Sequence, residues 1–239
     1  MATPISGKAA EVASQWVRWG DLDYVAARLL LLNGLLVQGA ASANTAIEKF
    51  LKAAVSYSGL AIPHSHDVEK IYTKMRSSQS TDLELNGSFL RLLCKAYKLR
   101  YPDQLEKDFN IALNQARLLA QLDRSVLEIT QRFRFTRNGK IIPTVLEQAA
   151  ATQDSRYLHG NVAVDPSKTA QLFADPSHSY DLRNVNGQVL EVYYQSHSQQ
   201  DDLVFDLQGF FPKSDRDFEL AYRPIVDGSK PEREVIKDV

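Results

Sequence analysis

The side chains able to do chemistry gather in a few short runs. His64, Ser65, His66 and Asp67 form the densest polar cluster of the helical first half. A metal centre needs three or four converging ligands, and two histidines two residues apart offer two or three at best. The run reads more simply as a helix start: Ser65 caps exposed N–H groups, Asp67 meets the positive end of the dipole, and His66 fastens the loop. No metal and no cofactor is expected. Arg100-Tyr101-Pro102 marks a second position. Pro102 breaks a helix, Tyr101 packs, and Arg100 either pairs with Asp103 or Glu106 or faces an anionic ligand. A third run, Arg124, Arg132, Arg134, Arg137 and Lys140, interleaves with Phe133 and Phe135. Arginine beside aromatic rings can hold single-stranded RNA by phosphate contact and base stacking. Phe133 falls on an apolar stripe, which leaves Phe135 as the stacking residue. His159 with Asp165, and His197 with Asp201 and Asp202, read as solvated loops. Cys94 follows Leu92-Leu93 and reads as an inert buried thiol. No glycine-rich phosphate loop, serine elbow or zinc-protease helix occurs.

Composition sets the bounds. The 239 residues carry 28 basic and 29 acidic side chains, a net charge of −1, and 44% are apolar, as in ordinary globular proteins. One cysteine excludes an intrachain disulfide and a cysteine-rich zinc site. The most apolar stretch, Leu29 to Val37, is interrupted by Asn33-Gly34 and falls short of the ~20 residues a membrane span needs. The N-terminus lacks a basic start followed by an apolar stretch, so a cytoplasmic protein without membrane contact is expected. The charge is uneven. Ser88 to Lys140 holds 11 basic against 5 acidic residues, and Ala150 to Val239 holds 9 against 15. The two surfaces could dock on each other, or the basic one could meet nucleic acid; solvated helix faces account for the same charges without any partner.

Five helices are expected to position these groups. Leu22, Val25, Leu29 and Leu32, with Val12, Trp16 and Trp19 upstream, form one stripe of a first helix at about 6–33. Ala43, Ile47, Phe50, Ala54 and Tyr57 line a second at about 38–58, with Glu48 and Lys52 paired on its polar side. A third follows Pro63 at about 66–76. Thr81 and Glu84 have capping-box spacing and predict a fourth helix, through Phe89, Leu92, Leu93 and Ala96 to about Leu99. A stripe from Leu105 through Phe109, Ala112, Ala116, Leu119, Leu122, Val126 and Ile129 to Phe133 predicts a fifth helix roughly 40–45 Å long. Beyond Asn138-Gly139 the chain breaks into short pieces. A short helix is expected at 144–151, and strand-like runs at Gln188–His197, Leu203–Phe211 and Asp217–Val226 suggest a small antiparallel sheet. The predicted class is mainly α: an up-and-down bundle at 1–140 with a small β-containing region at 141–239.

Four local runs add a resemblance. They are Asp21-Leu22-Asp23-Tyr24-Val25-Ala26-Ala27; Ala43-Asn44-Thr45-Ala46-Ile47-Glu48-Lys49-Phe50-Leu51-Lys52-Ala53; Ser65-His66-Asp67-Val68; and Tyr97-Lys98-Leu99-Arg100-Tyr101-Pro102. In this order they resemble the HEPN domain family over about residues 8–135. The resemblance implies a helical bundle, often a homodimer, and in many members a metal-independent ribonuclease. The ribonuclease motif of that family, an Arg followed after four to six residues by His, is missing from the bundle of this chain. The resemblance therefore implies a non-catalytic module that binds RNA, a nucleotide or a partner protein. Lys52, His66, Asp67, Arg100 and Tyr101 are its expected ligand-binding residues. A diverged ribonuclease using Arg100, Tyr101 and His66, and a purely structural oligomerisation module, are the alternatives.

Overall fold

The computed structural model describes residues 7–77, 83–107, 109–174, 176–185 and 188–196. Four helices come first: α1 (Gly7–Leu32), α2 (Leu36–Tyr57), α3 (Val68–Ser77) and α4 (Gly87–Lys98). A 3-10 turn at Pro102–Gln104 leads to strand β1 (Asn110–Asn114) and helix α5 (Gln115–Arg132). A two-stranded hairpin, β2 (Thr136–Arg137) and β3 (Lys140–Ile141), precedes α6 (Val145–Thr152) and α7 (Ser155–Leu158). After α8 (Thr169–Ala174), strands β4 (Ser177–Val185) and β5 (Gln188–Ser196) complete a three-stranded antiparallel sheet in the order β1-β4-β5. The molecule is mainly helical with a small antiparallel sheet, as predicted.

The central helix is α2. Its stripe Ala43, Ile47, Phe50 and Ala54 is fully buried, and α4 buries Phe89, Leu92, Leu93 and Ala96 as read from the spacing. Helix α1 departs from expectation. Trp19, Leu22 and Leu29 are exposed, while the buried face is Ala13, Gly20, Tyr24, Ala27, Arg28 and Leu31. Small residues win this face because α1 and α2 pack closely. A Cβ added at Gly20 would stand 3.3 Å from the Lys49 and Phe50 side chains, and one at Gly39 would stand 2.7 Å from Leu31.

Two other boundaries are corrected. Helix α4 starts at Gly87, where the Asn86 side chain accepts hydrogen bonds from the N–H groups of Ser88 and Phe89; Thr81 lies outside the described residues. The predicted fifth helix is really a strand followed by a helix. Phe109, Ile111 and Leu113 are buried at alternate positions, the period of a strand, and Asn110–Asn114 pairs with Arg183–Ser179 of β4. Asn114 makes the change of structure. Its carbonyl oxygen accepts from the N–H of Arg117 and caps α5, while its amide donates to Ser177 and Ser179 at 2.9 and 3.0 Å. From Ala116 to Phe133 the predicted stripe is buried in the core. The expected short helix appears as α6, capped by a Thr144–Glu147 capping box. The runs Leu203–Phe211 and Asp217–Val226, with His197, Asp201 and Asp202, lie outside the described residues.

A buried polar network fixes the segment after α6 to the bundle. Arg28 and Asp123 are fully buried and form an ion pair between α1 and α5. Tyr24 donates to Asp123 at 2.8 Å and accepts from Asn161 at 3.1 Å. Arg28 also donates to the carbonyl oxygens of Arg156 and His159. Burial pushes the Asp123 carboxyl upward, against the pull of the Arg28 guanidinium and the Tyr24 hydroxyl. Tyr157 adds a hydrogen bond to Asp21 at 2.8 Å.

Candidate functional site

Helix α2 carries Glu48 and Lys52 one turn apart on one face. Both are almost fully buried, at 4% and 6% exposure, which is rare for charged side chains unless they are paired. The pair is present: Lys52 Nζ donates to Glu48 Oε1 at 2.7 Å. The ammonium also lies 5.2 Å from the centre of the Trp16 ring of α1, a cation–π contact that holds the half-buried indole over the pair. On its other side Glu48 meets the loop before α3. His66 Nδ1 is 3.2 Å from each Glu48 carboxylate oxygen. A carboxylate accepts only, so the neutral ring carries its proton on Nδ1 and presents Nε2 outward.

His66 is 73% exposed, yet its ring is not free to swing. It stacks on Tyr97 of α4, with centroids 6.5 Å apart and planes within 12°. Arg100 covers the same tyrosine: its guanidinium lies 5.0 Å from the Tyr97 centroid and donates to the Tyr97 hydroxyl at 2.9 Å. The guanidinium is 5.8 Å from the ring of Tyr101, which is 45% exposed. Arg100 thus folds back onto aromatic faces. The C-terminal turn of α4 and the break at Pro102 place it there.

The structure therefore joins Lys52, His66, Arg100 and Tyr101, with Glu48 and Tyr97 as the linking groups. Asp67 has a different place. It is the residue before α3 and accepts from the Lys70 N–H at 3.0 Å, so it performs the capping expected of Ser65. Ser65 accepts from the Asp67 N–H instead, because α3 begins at Val68, later than the spacing suggested. Backbone and side-chain hydrogen bonds from Lys70 outweigh burial and lower the Asp67 pKa. The Cys94 thiol donates to Asp67 at 3.5 Å; burial and this neighbouring charge push it up to about 11.

The basic run is divided. Arg124 lines a cleft of about 520 Å³ with Gln121, Ser125 and Val162. Arg132 pairs with Glu128 at 2.9 Å, and Arg134 grips Glu147 through two hydrogen bonds of 2.5 and 2.7 Å. Arg137 and Lys140 are exposed and face each other across the β2–β3 hairpin. Phe135 packs edge-on against Tyr57, 6.1 Å away, and lines an apolar cleft of about 250 Å³ with Phe50 and Phe133. That cleft touches α2 at Phe50, Ala53 and Ala54, on the side opposite Glu48 and Lys52.

Glu48, Tyr97 and Trp16 were absent from the sequence-based candidates. Glu48 reads as one end of a surface pair, and Trp16 as part of a core stripe. The readable signal was an acidic residue one turn from a lysine on the most apolar helix of the chain.

Among the described residues, no group of three or more His, Cys, Asp or Glu side chains could hold a metal, and no helix is long and apolar enough to cross a membrane. No curated protein and no solved structure matches the chain. A family model does: residues 13–130 match the one described as HEPN domain. The match runs from α1 into the last turn of α5 and contains every residue from Trp16 to Tyr101 named in the site. Residues 13–130 of this chain are a HEPN domain.

Proposed function

We propose that the site is a non-catalytic receptor for a phosphate-bearing ligand, RNA or a nucleotide. The observation that carries the reading is the shared use of Tyr97: an exposed imidazole stacks on it and an exposed guanidinium lies against it. This puts a flat ring for a base beside a cation for a phosphate, the pairing that nucleotides require. Lys52 is too buried to be the main phosphate contact; it neutralises Glu48 and so keeps His66 in place. Arg137 and Lys140 belong to the hairpin flanking the apolar cleft on the other side of α2, and would be a separate basic contact. The homodimer and partner-protein expectations come from the family resemblance; the exposed Trp19, Leu22 and Leu29 face of α1 is an apolar surface that would serve either.

A second reading has its own support. Glu48 holds His66 by Nδ1 and leaves Nε2 able to take a proton from a ribose hydroxyl, with Arg100 near to steady the charged phosphate. This is the metal-independent ribonuclease alternative.

One experiment addresses both. Fluorescently labelled single-stranded RNA is titrated in EDTA over a series of salt concentrations, and its length is checked on gels. Binding should weaken steeply with salt. Arg100→Ala should lower affinity about tenfold or more, as for the loss of a charge-assisted hydrogen bond, and reduce the salt slope by about 0.7. RNA that is not retained at low salt, or an Arg100→Ala protein that binds like the parent, would end the proposal. Cleavage lost in both His66→Ala and Arg100→Ala would replace it with the ribonuclease reading.

A further inference from the structure

The apolar cleft of about 250 Å³ lies on the side of α2 away from Glu48 and Lys52, so it is separate from the proposed receptor. Phe50 of α2, Phe133 and Phe135 beyond α5, and Ile142 after β3 make its apolar lining. Two charged side chains of α1, Arg18 and Asp21, enter the same cleft. They stand three residues apart on one face of the helix, where opposite charges ordinarily pair. Here they do not. Asp21 Oδ2 accepts from the Tyr157 hydroxyl at 2.8 Å, and Oδ1 is buried without any hydrogen-bond partner. Arg18 is exposed and is joined to no acidic group among the described residues. A carboxylate oxygen shut away from water without a donor is costly, and a ligand that brings the donor removes the cost.

We infer that this cleft binds a free apolar α-amino acid, its ammonium donating to Asp21 Oδ1, its carboxylate held by Arg18 and its side chain set among the phenylalanines. The charges of such a ligand, carried on one carbon, complement an acid and a base whose Cβ atoms are about 5–6 Å apart on a helix. A guanidinium fork matches a carboxylate better than any other side chain does. An amine alone would leave Arg18 unused, and a carboxylic acid alone would leave Asp21 Oδ1 without its donor. A polar side chain would lose its water against Phe50, Phe133 and Phe135 without gaining partners there. The volume is below the ~300–1,000 Å³ of sites for drug-sized ligands, which suits one amino acid and excludes a nucleotide. Tyr157 already fixes the Asp21 carboxylate, which lowers the ordering needed on binding. Burial raises the Asp21 carboxyl against the pull of Tyr157 and Arg156, as befits a carboxylate short of positive charge. This site stands whether or not RNA binds on the other side of α2.

The full chain is titrated by calorimetry, with saturation-transfer NMR for weak binders. The probes are L-phenylalanine, L-leucine, L-glutamate, phenethylamine, which lacks the carboxylate, and 3-phenylpropanoate, which lacks the ammonium. At least one of the two apolar amino acids should bind. L-glutamate, phenethylamine and 3-phenylpropanoate should each be about tenfold weaker or more, the two last as for loss of a charge-assisted hydrogen bond. Arg18→Met should weaken the amino acid about tenfold and leave phenethylamine unchanged. Asp21→Asn keeps an acceptor for Tyr157; it should weaken the amino acid about tenfold and leave 3-phenylpropanoate no weaker.

Binding of neither apolar amino acid would overturn the inference. So would L-glutamate or phenethylamine binding as tightly as the apolar amino acid, or amino-acid binding that survives both substitutions. None of these results bears on the phosphate-ligand reading, which the RNA titration tests by itself. The comparison among probes uses the parent chain, so it decides the matter even if Asp21→Asn fails to fold.

Discussion

At the scale of single residues, two carboxylates in this chain have opposite surroundings. Glu48 is buried and linked to Lys52 and His66; Glu147 is half-exposed and gripped by Arg134. The Arg134 hydrogen bonds are the largest influence on Glu147 and hold its carboxyl down at about 2. Its value in the unfolded chain is about 4.3. A depressed folded value means that the contribution is complete above about pH 4.3 and is lost as pH falls toward 2. Solvent screening at this exposure limits the pair to about 0.5–1 kcal/mol. Glu147→Gln should therefore flatten the acid side of the stability profile by that amount, measured by urea unfolding at successive pH values. A profile that keeps its slope would show that the pair contributes nothing. Sequence made Glu48 legible as the partner of Lys52 and Arg100 as a junction residue. The burial of Glu48 was hidden because Trp16 and His66, which cover it, come from other elements, and helical spacing reports only neighbours on the same helix.

At the scale of elements, the clearest lesson is in residues 105–133. A helical stripe and a strand alternation share positions there, since Phe109 fits both periods. What decides is a partner distant in sequence: β4 supplies the hydrogen bonds that make 110–114 a strand. Asn114, the last residue of that strand, also caps α5 and reaches two serines of β4. Asn114→Ala should cost about 1–3 kcal/mol, more than an isolated helix cap, because it breaks the cap and the cross-strand bonds together. Thermal or urea unfolding measures it, and a loss below a few tenths of a kcal/mol would mean that Asn114 joins nothing. Helices α2 and α4 were legible because large apolar residues mark their buried faces. Helix α1 was misread for the opposite reason: Ala13, Gly20 and Ala27 carry its contact, and small residues give a weak hydrophobic signal.

At the scale of the whole molecule, α1 and α5 are tied to residues 156–161 by the Arg28–Asp123–Tyr24 network. An ion pair sealed from water is held by geometry and fails when one partner is removed. Asp123→Leu or Arg28→Met should each cost about 3–5 kcal/mol by equilibrium unfolding, and the double variant Arg28→Met with Asp123→Leu should cost less than the two single losses together. Strict additivity would mean that the two groups act independently. No pattern in the sequence announced this network, since Arg28 sits among leucines and Asp123 within an apolar stripe. A last consequence follows from the thiol donated to Asp67. The chain has one cysteine, half-buried and pushed up to about 11, so near neutral pH it is a poor nucleophile while α3 and α4 stay packed. Alkylating reagents then act as a stopwatch: the rate at which they label the native protein counts how often the corner beside His66 breathes open.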